Sequence, residues 1–265
     1  MSDQKVKILS DQQLRQYQTD GYVILKNHID LSLLSDLQIA LASLMPGGGK
    51  ATSIEDIDKV ILEAEKNDHK FVYYAMIAVG SSCAALQVLA SMNVEKITSE
   101  LYAVPAKNIH LLPIQTPIQI PGDTRFDQDW HQDGTSYPAA EIIPTFWFPV
   151  LHPTRETGSV GYIPGSHKRG ERDSVHTVYE SGLNVRVITV EEQEKQDAVV
   201  ADLELGDLLV FDKNLVHTST PNKGGIPRAT GICRTVVLDG DKEFTPLFQI
   251  NMESLGGVTK TNSQM

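Results

Sequence analysis

Apolar positions in the first hundred residues recur at helical spacing, whereas those after residue 108 crowd into short runs. In "SDQQLRQYQTDG", Leu14 and Tyr17 lie three apart, Ser10 stands where a helix cap is wanted, and Gly21 stands where a helix stops. "YVILK" follows as a short strand. Leu33, Leu34, Leu37, Leu41 and Leu44 then mark one face of an amphipathic helix over 31–45, which ends in "PGGGK". Two further helical stretches are predicted near 54–66 and 81–102, with Pro105 beyond the second.

From residue 108 the runs "IHLLPIQTPIQI", "TFWFPVLH", "GSVGYIP", "NVRVITV", "AVVADLELGDLLVF" and "ATGICRTVVL" are separated by Pro and Gly. Short strands without intervening helices predict a sandwich or jelly roll. The expected fold is therefore mainly β with a helical N-terminal cover. The cover spans about 8–105, the β core about 108–240, and 250–265 forms a flexible tail, all within one domain over 1–265.

Charge narrows the partners. Asp and Glu outnumber Lys and Arg by 34 to 23, and a net charge of -11 repels nucleic-acid backbones and anionic lipid. No run approaches the roughly 18 apolar residues of a membrane span, and the N-terminus has no secretory core. The two cysteines, Cys83 and Cys233, sit in apolar surroundings that predict buried thiols in a reducing compartment. These features point to a cytoplasmic protein with no nucleic-acid or membrane partner and leave a small-molecule substrate open. "PGGGKAT" is not a phosphate loop, because Ala51 follows Lys50 and Leu44 stands where the first glycine is needed.

The stretch "DQDWHQDGTSYP" carries the candidate chemistry. On a strand, His131 and Asp133 would share one face while Gln132 turns away. His217, where the apolar run "DLLVF" gives way to polar residues, is the best second imidazole. Two histidines and a carboxylate on one side of a metal leave the other side open, as in non-haem Fe(II) oxygenases. Taken alone, such a triplet is more often a polar strand ending in a turn than a metal site. His28, His69, His110, His152, His167 and His176 are read as structural.

Four motifs in order, "HQDGTSYP", "TFWFPV", "TGSVGYIPGSHKRG" and "GDLLVFDKNLVHTSTPNKGGIPR", together with the opening "LSDQQLRQYQTDGYVIL", resemble the phytanoyl-CoA dioxygenase family of Fe(II)/2-oxoglutarate oxygenases. The resemblance covers about residues 8–240. It implies a cupin-like double-stranded β-helix with His131, Asp133 and His217 as iron ligands and Arg228 pairing with the far carboxylate of 2-oxoglutarate. It further implies that Ser219 helps hold that carboxylate, that Trp147 lines the cosubstrate pocket, and that Gln115 or Gln119, with Gln115 preferred, contacts 2-oxoglutarate. The implied cofactors are Fe(II), 2-oxoglutarate and O2, and the implied reaction is hydroxylation of a small polar metabolite or natural product, releasing succinate and CO2. Halogenating relatives lack the carboxylate ligand that Asp133 would supply. Two rival readings stand beside this one: a jelly-roll metal-binding protein without redox activity, and a metal-dependent isomerase or hydrolase on the same fold.

Overall fold

The computed structural model describes residues 7–112, 114–125, 127–136, 142–179 and 184–237. Helix α1 (Asp11–Asp20) opens at a capping box in which Ser10 and Gln13 each accept from the other's backbone N–H, at 3.2 and 2.8 Å. It stops at Gly21, whose φ of 81° lies in the left-handed region and whose missing Cβ makes room for the His167 ring. Strand β1 (Tyr22–Leu25) and helix α2 (Leu31–Ser43) follow, with Leu34, Leu37 and Leu41 buried on one helical face. Ser53 then caps α3 (Ile54–Asp68).

The cover departs from expectation in two places. Helix α4 (Lys70–Ala78) occupies a stretch for which no element was predicted. Its sequence "KFVYYAMIA" is apolar all round: Val72 and Ala75 are buried, while Phe71, Tyr73, Tyr74 and Ile77 are exposed. A helix without a polar face gives no periodic signal. The helix predicted over 81–102 is split into α5 (Cys83–Ser91) and α6 (Val94–Tyr102), because Asn93 turns left-handed at φ 55°. Asn tolerates that region, and its side-chain amide donates to the Ser91 carbonyl at 2.9 Å. Cys83, first residue of α5, is exposed, contrary to the expected burial, whereas Cys233 is buried.

The β core is built from β2 (Ile109–Leu111), β3 (Ile118–Gln119), β4 (Thr145–Leu151), β5 (Val160–Tyr162), β6 (Ser174–Val178), β7 (Asn184–Ile188), β8 (Val199–Val200), β9 (Leu208–Phe211), β10 (His217–Ser219) and β11 (Arg228–Val237), with a short helix α7 (Glu192–Gln196) before β8. The larger antiparallel sheet runs β1-β9-β4-β11-β2, with β3 on the start of β11. The smaller runs β10-β5-β8, and β6 and β7 form a separate hairpin. Together they make the jelly roll, or double-stranded β-helix, with helices on one face. The expected tail, 250–265, lies outside the described residues.

Alternation along the central strands builds two cores from one sheet. Phe146, Phe148 and Val150 of β4, with Leu208 and Val210 of β9, pack among the helices. Trp147, Leu209 and Phe211 instead pack with Val160 and Tyr162 of the smaller sheet. The register of β4 against β11 shifts between Ala229 and Thr230, opposite Pro149, which has no N–H to pair. Gln38 of α2 donates to the Val150 carbonyl there at 2.7 Å, tying the cover to the strand that frames the site. Gly231 of β11 is required by close approach, since a Cβ would lie 2.1 Å from the Phe148 ring.

One buried carboxylate secures the turn into β9. Asp207, 1% exposed, accepts from the N–H groups of Asn27 and Glu204 at 3.0 and 2.8 Å and from the Lys26 ammonium at 2.7 Å. Burial favours the protonated acid, but Lys26 and the two N–H groups outweigh it and hold the carboxyl below its ordinary range. Asp207→Ala strands those donors and is expected to cost about 1–3 kcal/mol in denaturant unfolding at neutral pH. Because the folded pKa is depressed, this contribution is present above the ordinary aspartate value of about 3.9 and is lost as pH falls through the folded value. The stability gap between wild type and variant should therefore close in acid.

Candidate metal centre

His131 and His217 are brought together by their own backbones. They form an isolated antiparallel bridge, each N–H donating to the other's carbonyl at 2.9 and 3.0 Å, so the rings lie 4.0 Å apart between centroids. His217 opens β10, and Phe211 packs against its ring. The expected strand at 131–133 is reduced to this bridge, and Asp133 begins a 3₁₀ turn over Asp133–Ser136. Gln132 does turn away, as alternation requires. Its amide donates to the Asn214 and Gly170 carbonyls at 2.6 and 3.0 Å and its oxygen accepts from Arg172 N–H at 2.9 Å, which fixes the segment.

One donor atom from each of His131, Asp133 and His217 can be chosen so that all lie within 4.8 Å of one another, and all three residues are buried. Each imidazole is oriented by a backbone carbonyl: His131 Nδ1 lies 2.7 Å from Asp129 O, and His217 Nδ1 lies 2.8 Å from Leu215 O. A carbonyl only accepts, so Nδ1 carries the proton and Nε2 keeps its lone pair. Burial pushes the His131 imidazole down to about 3, with the His217 ring adding to the effect, and burial likewise lowers His217. Both rings are neutral, the form that ligates metal. Burial would raise Asp133, but the charge of Arg234 and its hydrogen bonds hold it well below the usual carboxylate range. The cluster therefore offers two neutral nitrogens and one anionic oxygen.

Beside it lies a cavity of about 400 Å³ whose lining includes His131, His217, Ser219, Arg228, Gln115 and Trp147. Asp133 sits behind this surface, 4% exposed. Arg228 opens β11 and is 5% exposed, with Nε and Nη1 meeting no hydrogen-bond partner. Burial lowers its pKa to about 10, against the opposing charge of Asp127, so it remains a cation at neutral pH. A buried cation that lines a cavity and keeps two donors unused fits an anionic ligand. Ser219, at the end of β10, lines the same cavity. Trp147 belongs both to the cavity wall and to the inter-sheet core.

Of the two glutamines, Gln115 accepts from Arg234 Nη1 at 3.1 Å, while Gln119 stands opposite Arg228 in the β3–β11 register and donates to Asp127. Both line the cavity. Three other histidines have structural partners: His152 with Asp58, His28 with the Met92 carbonyl, and His167 with the Gln18 carbonyl.

Sequence reasoning missed Arg234 and Thr145. Arg234 grips Asp133 through Nε to Oδ2 at 3.0 Å and Nη2 to Oδ1 at 2.9 Å, and Thr145 donates to Oδ2. The available signal was even spacing along β11: Arg228, Thr230, Ile232 and Arg234 all line the cavity. Also missed was the apolar wall of Tyr73, Met76 and Ile77, supplied by α4.

A model of the phytanoyl-CoA dioxygenase family matches residues 17–230. The 1-deoxypentalenic acid 11-beta-hydroxylase of Streptomyces arenae is 30% identical over 219 residues, covering 78% of this chain and 73% of that one. The phytanoyl-CoA dioxygenase domain-containing protein 1 homolog of Dictyostelium discoideum is 26% identical over 246 residues, covering 81% and 86%. EvdO2 from Micromonospora carbonacea var. aurantiaca, solved in complex with 2-oxoglutarate, has the same fold at a TM-score of 0.63 and 18% identity, over 90% of this chain and 96% of that one.

Proposed function

The chain belongs to the phytanoyl-CoA dioxygenase family of Fe(II)- and 2-oxoglutarate-dependent oxygenases, and from that premise we propose that His131, Asp133 and His217 hold its iron while Arg228 grips the far carboxylate of 2-oxoglutarate. The observation that supports this most is the pairing of a three-donor cluster with a buried guanidinium that has unused donors, on one cavity. When bound, iron with 2-oxoglutarate and O2 supplies the oxidant, and succinate and CO2 are released. The chain's own residues position and exclude. Arg228 presents a planar fork that matches a carboxylate, Ser219 adds a hydroxyl to the same cavity, and Trp147 closes the wall against water. Gln115 contributes through its contact with Arg234 and its place in the lining.

The substrate is a small molecule, and the helical cover and β core act on it as one domain, because α4 completes the cavity wall. That wall is Tyr73, Met76 and Ile77, so of the expected substrates a natural product with a hydrocarbon face fits it better than a uniformly polar metabolite. A CoA ester fits less well. Its phosphates would want a cationic patch, and in the one local cluster, "HKRGER" over 167–172, Arg169 and Arg172 both pair with Glu194. The exposed thiol of Cys83 suits a reducing cytoplasm. Among the described residues no single helix is long and apolar enough to cross a membrane.

Screening small metabolites for stimulated succinate release, with Fe(II), 2-oxoglutarate and O2 all required, tests the reading. Turnover without O2 or 2-oxoglutarate would favour the isomerase or hydrolase instead. Because Asp133 occupies the position that a halide would need, hydroxylation is the expected outcome even in excess chloride. Under labelled O2 the product should gain one labelled oxygen, and a chlorinated product would overturn the role given to Asp133.

A further inference from the structure

We propose that Arg234 and Thr145 are positioning residues that divide the lone pairs of Asp133, leaving one oxygen for the metal and preventing chelation by both. The inference rests on the metal assignment above. An ionised carboxylate has about four in-plane acceptor sites, two on each oxygen. The Arg234 fork takes one on each, with Nε on Oδ2 at 3.0 Å and Nη2 on Oδ1 at 2.9 Å. Thr145 takes the second site on Oδ2. One site remains, on Oδ1, the oxygen that lies 4.0 Å from His217 Nε2.

This arrangement is built into the sheet. Thr145 and Arg234 are directly opposed in the β4–β11 register, so both face Asp133 from adjacent strands. Thr145 is fully buried and the Arg234 side chain is 13% exposed, so water does not easily replace either donor. Gln115, paired through its backbone with Ile232, accepts from the remaining arm of Arg234 at 3.1 Å and so restrains the fork. All three contacts come from structure outside the turn that carries Asp133.

The consequence is a count of coordination positions. Two imidazoles and one carboxylate oxygen fill three sites of an octahedral ion and leave three, enough for two oxygens of 2-oxoglutarate and one O2. A chelating carboxylate would fill a fourth and leave no place for O2 once 2-oxoglutarate is bound. Arg234 and Thr145 thus act through Asp133 to keep the last position open.

X-ray absorption on the full chain loaded with Co(II), without substrate, reads the shell independently of activity. Wild type is expected to show two imidazoles and one carboxylate bound through a single oxygen. Arg234→Met/Thr145→Val frees Oδ2 and is expected to shift to a chelating carboxylate, while Thr145→Ser keeps the wild-type shell. Nitric oxide, an O2 surrogate, should bind the Fe(II) and 2-oxoglutarate form of the double variant at least about 10-fold more weakly than wild type. Arg234→Met alone, which vacates one site on each oxygen, provides a milder variant should the double one fail to fold, with a smaller weakening in the same direction. Two imidazoles with a chelating carboxylate in wild type would overturn this proposal while leaving the metal assignment in place. So would a wild-type shell and undiminished nitric oxide binding in the folded variants. Absence of imidazoles from the shell would overturn the metal assignment, and the proposal with it.

Discussion

His131→Ala is expected to lower Fe(II) affinity by well over the roughly 10- to 100-fold that follows loss of an outer partner, because an inner donor is removed. The remaining pair, His217 and Asp133, spans only part of the cluster, and no other His, Cys, Asp or Glu among the described residues joins the three. The fold should survive. His131 lies on the cavity wall, and the backbone bridge to His217 that it forms does not involve its side chain. Iron content after anaerobic loading, read beside thermal unfolding of the metal-free chain, separates the two effects. His110→Ala, on an exposed position of β2, should leave iron content unchanged. Full iron occupancy in a folded His131→Ala chain would remove the residue from the metal shell.

Arg228→Ala is expected to raise the 2-oxoglutarate requirement by about 2–5 kcal/mol, the range for leaving a buried charge partner unpaired. At 1.4 kcal/mol per tenfold, that is roughly 30-fold to a few thousand-fold in concentration. The cause is specific: Nε and Nη1 of Arg228 are buried without partners, so an incoming carboxylate satisfies donors that nothing else in the described structure satisfies. Iron affinity should stay near normal, since Arg228 is not among the clustered donors. Arg228→Lys restores charge but not the planar fork, and should recover only part of the loss. Equal loss of iron and 2-oxoglutarate binding in a folded Arg228→Ala chain would show the residue to be misassigned.

Legibility in the sequence followed the range of the interactions involved. The first helices were visible because Leu34, Leu37 and Leu41 repeat at the period of a helix that buries one face. Helix α4 was invisible for the opposite reason, its apolar residues lying on every side, and yet it supplies the cavity wall. The break at Asn93 is a single left-handed residue and leaves no periodic trace. The ordered motifs pointed to His131, Asp133, His217 and Arg228, and the structure brings the first three into one cluster with Arg228 on the adjoining cavity. Even spacing from Arg228 could have put Arg234 on the cavity face, but the approach of Arg234 and Thr145 to Asp133 was out of reach, because it depends on how β4 and β11 pair, a register set across most of the β core. The strand expected at 131–133 shrank to one bridge, but the alternation that put Gln132 on the other side held.

The most direct test is to measure Fe(II) and 2-oxoglutarate bound anaerobically to one protein sample. One iron per chain is expected, with one 2-oxoglutarate per iron, most of it released when the metal is chelated. Replacing all three of His131, Asp133 and His217 by alanine should abolish the iron and with it most of the 2-oxoglutarate. Iron at one per chain in that folded variant, or 2-oxoglutarate bound by metal-free or Arg228→Ala chains as well as by the iron-loaded wild type, would contradict the account.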